Sequence, residues 1–314
     1  MLLQSCNKVE ELSGDDVPGY SPILLSAETT DTYTRAYIPL GMYDNFKVYA
    51  VSVTDGTQKT VMDGYEVKFV NDSWTYVTDK QKLMFWDSKA DSYLFTAGAP
   101  IEAVTLISAN AMTLHLENNH LTGSVMASEP LKIANNSPEF GKIVNMRFGY
   151  AHCRVCVAFV KNAESDVVIS NITLKPNEAI TSEADLTYTY DWSTPTASTQ
   201  LTPKATSAES LSFDDVTIPA GTSDAVLSET RYYCVPDASN PTGWRVSLKC
   251  GEEQKSGTFV NEQTWESGKN YIYIFSLDGK TPKLIYVLAG DMDDYFDCND
   301  IVPGGDFSNS DMTE

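Results

Sequence analysis

Apolar residues in this chain alternate with polar ones or gather in short runs, and Gly, Pro, Asn or Asp closes most of them. Residues 46–53 and 65–70 place apolar side chains at nearly every second position. That is the period at which a strand turns one face to a core. The same reading predicts strands over 74–77, 93–97, 111–116, 143–148, 154–160 and 167–174. In the second half it predicts strands over 186–190, 216–219, 230–235, 244–250, 271–277 and 283–288. No stretch sustains a 3.6-residue period, and only 178–186 carries a weak signal for a short helix. Short strands at regular spacing with turn residues between them predict an all-β fold, two β-sandwich domains in tandem.

Turn residues also set the expected domain boundaries. The stretch 129–142 holds Pro130, Asn135, Asn136, Pro138 and Gly141. It divides an N-terminal domain, 20–142, from a C-terminal one, 143–314, behind a tether over 1–19. The Ser-, Thr- and Pro-rich stretch 192–209 reads as a long surface loop within the second domain.

Composition narrows the function classes. Hydrophobic residues are 42% of the 314, enough for sizeable cores. A formal net charge of −21 argues against nucleic acid and against docking on anionic lipid heads, because both need clustered Lys and Arg. No run of about 20 apolar residues suggests a transmembrane helix. Met1 to Ser5 read instead as the last residues of a signal peptide, and Leu3-Gln4-Ser5-Cys6 resembles the bacterial lipobox. Cys6 is then the acylated residue, with several lipid chains enough for stable anchoring. The polar residues 7–19 suit a tether. The only membrane contact expected is this lipid.

Candidate chemistry is sparse. The three histidines, His115, His120 and His152, show none of the usual zinc spacings. No GxSxG, GxGxxG or GxxxxGK[ST] motif occurs. We therefore expect no cofactor, no catalytic residues and no enzyme activity. Cys153 and Cys156 form a CxxC, but within a predicted strand, where positions three apart face opposite ways. Both read as buried thiols rather than a redox pair or zinc ligands. Cys234 and Cys250 end two predicted strands and are a candidate disulfide, and Cys298 has no assigned mate. Asp291, Asp293 and Asp297 lie in an acidic stretch that is a weak calcium candidate. Trp86, Trp192 and Trp244 are candidate sugar-stacking residues, with core packing the commoner fate of such side chains.

Four segments together resemble the fimbrillin family, the Mfa-like and FimA-like subunits of type V pili. The first is Thr34-Arg35-Ala36 followed by Phe46-Lys47-Val48-Tyr49-Ala50. The second runs from Trp74-Thr75-Tyr76 through Phe85-Trp86-Asp87 to Tyr93-Leu94-Phe95-Thr96-Ala97 and Pro100. The third is the strand pair over 144–157, where Tyr150 stands at a position usually held by His. The fourth is Trp265 with Gly268-Lys269-Asn270-Tyr271-Ile272-Tyr273.

The resemblance implies Greek-key, transthyretin-like sandwiches, export as an outer-membrane lipoprotein and assembly with other fimbrial subunits at the cell surface. It implies trimming after Arg35 and removal of a first strand around Ile23, Leu24 and Leu25. A neighbour's strand then refills the groove, the donor segment here being Leu284, Ile285, Tyr286, Val287 and Leu288. The acidic, Gly-containing tail after Ala289 makes a poor strand, so tip, anchor and accessory roles stand beside a shaft role. A surface lipoprotein that binds glycans is the alternative reading. A host or bacterial surface receptor would be a further partner.

Overall fold

The computed structural model describes residues 21–29, 43–236 and 243–292. Cys6, Arg35, Asp293, Asp297 and Cys298 lie outside the described residues. The described chain is all β, with a single short 3-10 turn at Ile101–Ala103. The first strands are β1 (Leu25–Thr29), β2 (Asn45–Thr54), β3 (Thr57–Val70), β4 (Ser73–Thr75), β5 (Ser92–Ala99), β6 (Val104–Ile107) and β7 (Ala111–Glu117). Next come β8 (Met126–Ser128), β9 (Leu131–Ala134), β10 (Val144–Tyr150), β11 (Cys153–Val160), β12 (Val167–Pro176), β13 (Ile180–Asp191) and β14 (Thr196–Ser207). The last are β15 (Leu211–Phe213), β16 (Val216–Ile218), β17 (Val226–Leu227), β18 (Tyr232–Cys234), β19 (Gly243–Cys250), β20 (Glu253–Val260), β21 (Lys269–Ser276) and β22 (Lys283–Asp291).

Local chemistry accounts for many of these elements. Along β2, Phe46, Val48 and Ala50 are buried while Lys47 and Tyr49 stay half-exposed. The chain reverses into β3 through Asp55-Gly56, both at positive φ (50° and 74°). Such a two-residue turn matches the strand twist, and Asp-Gly is among its preferred sequences. Asn71-Asp72, also at positive φ, does the same between β3 and β4.

The strands form four sheets that pack in two pairs. The first sheet runs β1-β10-β8-β5-β2-β3-β4, with β9 added on β5, and the second runs β14-β13-β7-β6. Between these two lies a core that includes Met112, Leu114, Leu116, Ala127, Ala184 and Leu186. Another apolar cluster sits on the first sheet around Phe46, Tyr93, Phe95, Phe148 and Trp86. The third sheet, β17-β11-β21-β22 with β18 on β11, packs on the fourth, β15-β12-β19-β20 with β16 on β12. Val155, Phe159, Trp244, Leu248, Tyr273 and Phe275 fill that core.

Two expectations change, and one strand appears where none was expected. The stretch 192–209 is no loop, since β14 pairs with β13 over its full length. Its side chains are exposed on both faces, so it carries no period for sequence reasoning to find. The helix signal over 178–186 falls in β13, where pairing on both sides outweighs local preference. β20 was unpredicted because Lys255 occupies one of its buried positions. Residue 143 begins the segment leading into β10, which pairs with β1 and β8 in the first sheet.

Candidate functional site

The N-terminal segment is held as a plug at one edge of the first sheet. β1 lies parallel to β10, in register from Leu25 opposite Val144 to Thr29 opposite Phe148. Ile23 is fully buried and Leu25 nearly so, whereas Leu24 points outward at 45% exposure. This alternation is what a half-buried edge strand requires. On the exposed side, Ser26 Oγ donates to Asn145 Oδ1 (3.0 Å) and Arg147 Nε donates to Glu28 Oε1 (2.9 Å).

The other side of the segment is clamped as well. Ile23 N–H donates to Met84 O (2.8 Å) and Trp86 N–H donates to Ser21 O (2.9 Å). The Tyr76 hydroxyl donates to Ile23 O (2.7 Å) and accepts from Met84 N–H (3.1 Å). Burial pushes the Tyr76 phenol above its ordinary pKa. Residues 21–29 are therefore bound as a peptide ligand would be, by main-chain hydrogen bonds on two sides and apolar side chains in a core.

The candidate donor segment lies within β22, an edge strand whose one paired neighbour among the described residues is β21. Leu284, Val287 and Ala289 pack toward the core of the third and fourth sheets, while Tyr286 and Leu288 pack on the opposite face of the third sheet. Ile285 is exposed. Lys255, with only 6% of its side chain exposed, ties β20 to the turn before β22 by donating to Leu277 O (3.3 Å) and Gly279 O (2.6 Å).

Other candidate residues separate. Trp86 is buried against Tyr93 and Phe140, and Trp244 is buried against Trp265, so neither offers a sugar-stacking face. Trp192 is half-buried and anchored, its Nε1–H donating to Ala109 O (2.6 Å). Cys153, Cys156, Cys234 and Cys250 are buried, and none of the four is in a disulfide. Cys153 and Cys156 do face opposite ways, one into each apolar cluster of the third sheet. Cys234 lies opposite Cys153, and the candidate disulfide between Cys234 and Cys250 is not formed. Asp291 is held by Lys269 Nζ at 2.6 Å.

The histidines hold a surprise that spacing did not reveal. His152 is buried at the join of β10 and β11, while His120 packs on the Tyr232 ring. His115 sits on the outer face of the second sheet with Glu117 and with Glu183 of β13. One ligand atom from each of these three lies within 4.8 Å of the others. Burial works to lower the His115 pKa, but hydrogen bonds to Asp185 and Glu117 outweigh it and hold the imidazole above its ordinary value. Sequence spacing missed this group because its third member comes from a strand paired across the sheet.

A family model described as fimbrillin-like matches residues 34–289. No curated protein sequence matches the chain. Among solved structures, a candidate cell adhesion protein of Bacteroides ovatus is 13% identical, with 87% of this chain and 98% of that one covered and a TM-score of 0.57. A candidate cell adhesion protein of Bacteroides uniformis is 11% identical, covering 86% and 97% of the two chains with a TM-score of 0.53. At such identities the likeness speaks for the fold.

Proposed function

Because the chain belongs to the fimbrillin-like family, whose members are fimbrial and adhesin subunits of the cell surface, we propose that it is a fimbrial subunit assembled by strand exchange. One observation carries this reading. The N-terminal segment is bound to the first sheet in the way a separate peptide would be, with Ile23 and Leu25 sunk into the core.

Cutting after Arg35 would sever residues 1–35, and with them β1 and the proposed lipid on Cys6, from the folded body. The vacated groove would expose the β10 edge and the apolar positions that Ile23 and Leu25 had covered. An open edge of that kind invites another strand. A neighbouring subunit supplies it, its apolar side chains entering the same pockets. The segment 284–288 is the proposed donor, apolar throughout, although in this subunit it is paired within its own sheet. The lipid on Cys6 is an anchor during export. If Arg35 stays uncut it is a permanent attachment, and the chain then acts as an anchor or accessory subunit. Burial of Trp86 and Trp244 takes away two of the three candidate stacking residues of the glycan-binding alternative and leaves the half-buried Trp192.

The test is controlled proteolysis at Arg35 of the purified full-length chain. Ladders that survive SDS should appear with cleavage and be absent from Arg35→Ala. A clean cut that leaves only monomer at high concentration sinks the strand-exchange reading.

A further inference from the structure

The outer face of the second sheet carries a ladder of polar pairs between β7 and β13. Thr113 opposes Thr187, His115 opposes Asp185 and Glu117 opposes Glu183. The first pair is joined by its hydroxyls at 3.1 Å. The second is joined through His115 Nδ1 and Asp185 Oδ1 at 3.3 Å, and Asp185 Oδ2 is held in turn by Lys204 Nζ at 2.8 Å. The third pair sets two carboxylates directly opposite one another, an arrangement that costs stability in a sheet. Glu183 is half-buried, and its carboxylate has no hydrogen bond or ion pair among the described residues. It also sits at the irregularity in the β13–β14 ladder, and such bulges re-aim a side chain.

We propose that His115, Glu117 and Glu183 bind a divalent transition-metal cation of the zinc class. With Nδ1 turned to Asp185, His115 directs Nε2 at Glu117 Oε1, 3.1 Å away. In the metal-free chain a proton on Nε2 joins this pair, and the cation takes that proton's place between the nitrogen and the carboxylate oxygen. The carboxylate–imidazole contact from Asp185 is the outer-shell arrangement that orients a metal-binding histidine.

Charge and geometry agree with this. A neutral imidazole and two carboxylates carry two negative charges, which a divalent ion cancels, while Lys204 offsets Asp185. The three ligand atoms lie within 4.8 Å of one another. Zinc bonds of about 2.0–2.2 Å place tetrahedral ligands roughly 3.3 Å apart, so side-chain rotation alone closes the site. A nitrogen with two carboxylates suits zinc better than calcium, which takes six to eight oxygens. The ligands stand on strands rather than loops, and the end of β7 is tied down by Asn118 N–H donating to Ser182 O (2.9 Å). The water-filled fourth position leaves the ion open to solvent, and its role here is to pin β7 to β13.

The experiment is Zn²⁺ titration of the full-length, chelator-treated protein by calorimetry, with melting temperature followed in parallel. One equivalent should bind and raise the melting temperature, while Ca²⁺ at the same concentration does neither. His115→Gln and Glu183→Gln should each weaken binding at least tenfold and abolish the thermal gain, and Asp185→Asn should weaken it about tenfold. Without metal, Glu183→Gln should melt no lower than the parent, because it removes a like-charge pair, so its loss of binding cannot be laid to unfolding. Co²⁺ should bind without a thiolate charge-transfer band, which separates this site from the cysteines. No binding, a thermal gain that persists in His115→Gln, or a thiolate band overturns the proposal.

Discussion

His152 shows how one buried side chain can set a pH response. Its Nδ1 accepts from Val125 N–H (3.0 Å) and its Nε2 donates to Glu117 O (3.1 Å), which fixes the neutral tautomer. Burial pushes its pKa down to about 4 from 6.5. The unfolded chain therefore binds a proton more readily than the folded one between those values. The stability tied to neutral His152 is complete above about pH 6.5 and is lost as pH falls toward 4, amounting to about 3 kcal/mol. Urea unfolding at pH 7.5 and pH 4.5 should show His152→Gln losing less between the two than the parent does. An equal loss in both would remove His152 from the acid response. Cys153 and Cys156 were legible from strand geometry alone, because positions three apart must diverge. Trp86 and Trp244 were not, since an isolated Trp reads the same whether core or platform.

At the scale of elements, β5 explains how closely the first two sheets approach. All eight of its residues are buried. A Cβ added at Gly98 would lie 2.8 Å from Leu114 and Val104 side-chain carbons and 2.9 Å from the Met112 sulfur. Gly98→Ala on a strand ordinarily gains a little by stiffening the unfolded chain. Here overpacking outweighs that gain, and the variant should lose about 1–3 kcal/mol in denaturant unfolding. A neutral result would mean that the facing sheet yields. Hairpins such as β2–β3 were legible because Asp55-Gly56 marks the turn and the flanking residues keep a period of two. β14 was not, because its partner β13 makes it a strand and its own side chains show no pattern.

Across the whole molecule, the two sheet pairs are joined at a small polar seam. Asn119 bridges Tyr233 by two main-chain hydrogen bonds of 2.9 and 2.7 Å. Beside it, Asn118 Oδ1 accepts from the fully buried Val235 N–H (2.7 Å), and Asn118 Nδ2 donates to Thr181 O (3.3 Å). Asn118→Ala strands that buried N–H and should cost about 1–3 kcal/mol. Asn118→Asp, which keeps the acceptor, should cost less. Calorimetry should also show the Asn118→Ala transition broadening as the two sheet pairs uncouple. A sharp transition at the parent temperature would show that the seam carries no coupling.

What the sequence determined by itself was the strand character of most segments, their turns and the all-β class. Those follow from side-chain period and turn chemistry, which act over a few residues. The family resemblance was legible for the same reason, being carried by local patterns. Only the tertiary structure decided that Cys234 faces Cys153, that residues 21–29 lie as a plug along β10, and that His115 and Glu117 meet Glu183. Those facts depend on which strands pair and in what register, and pairing is settled by burial across distant parts of the chain.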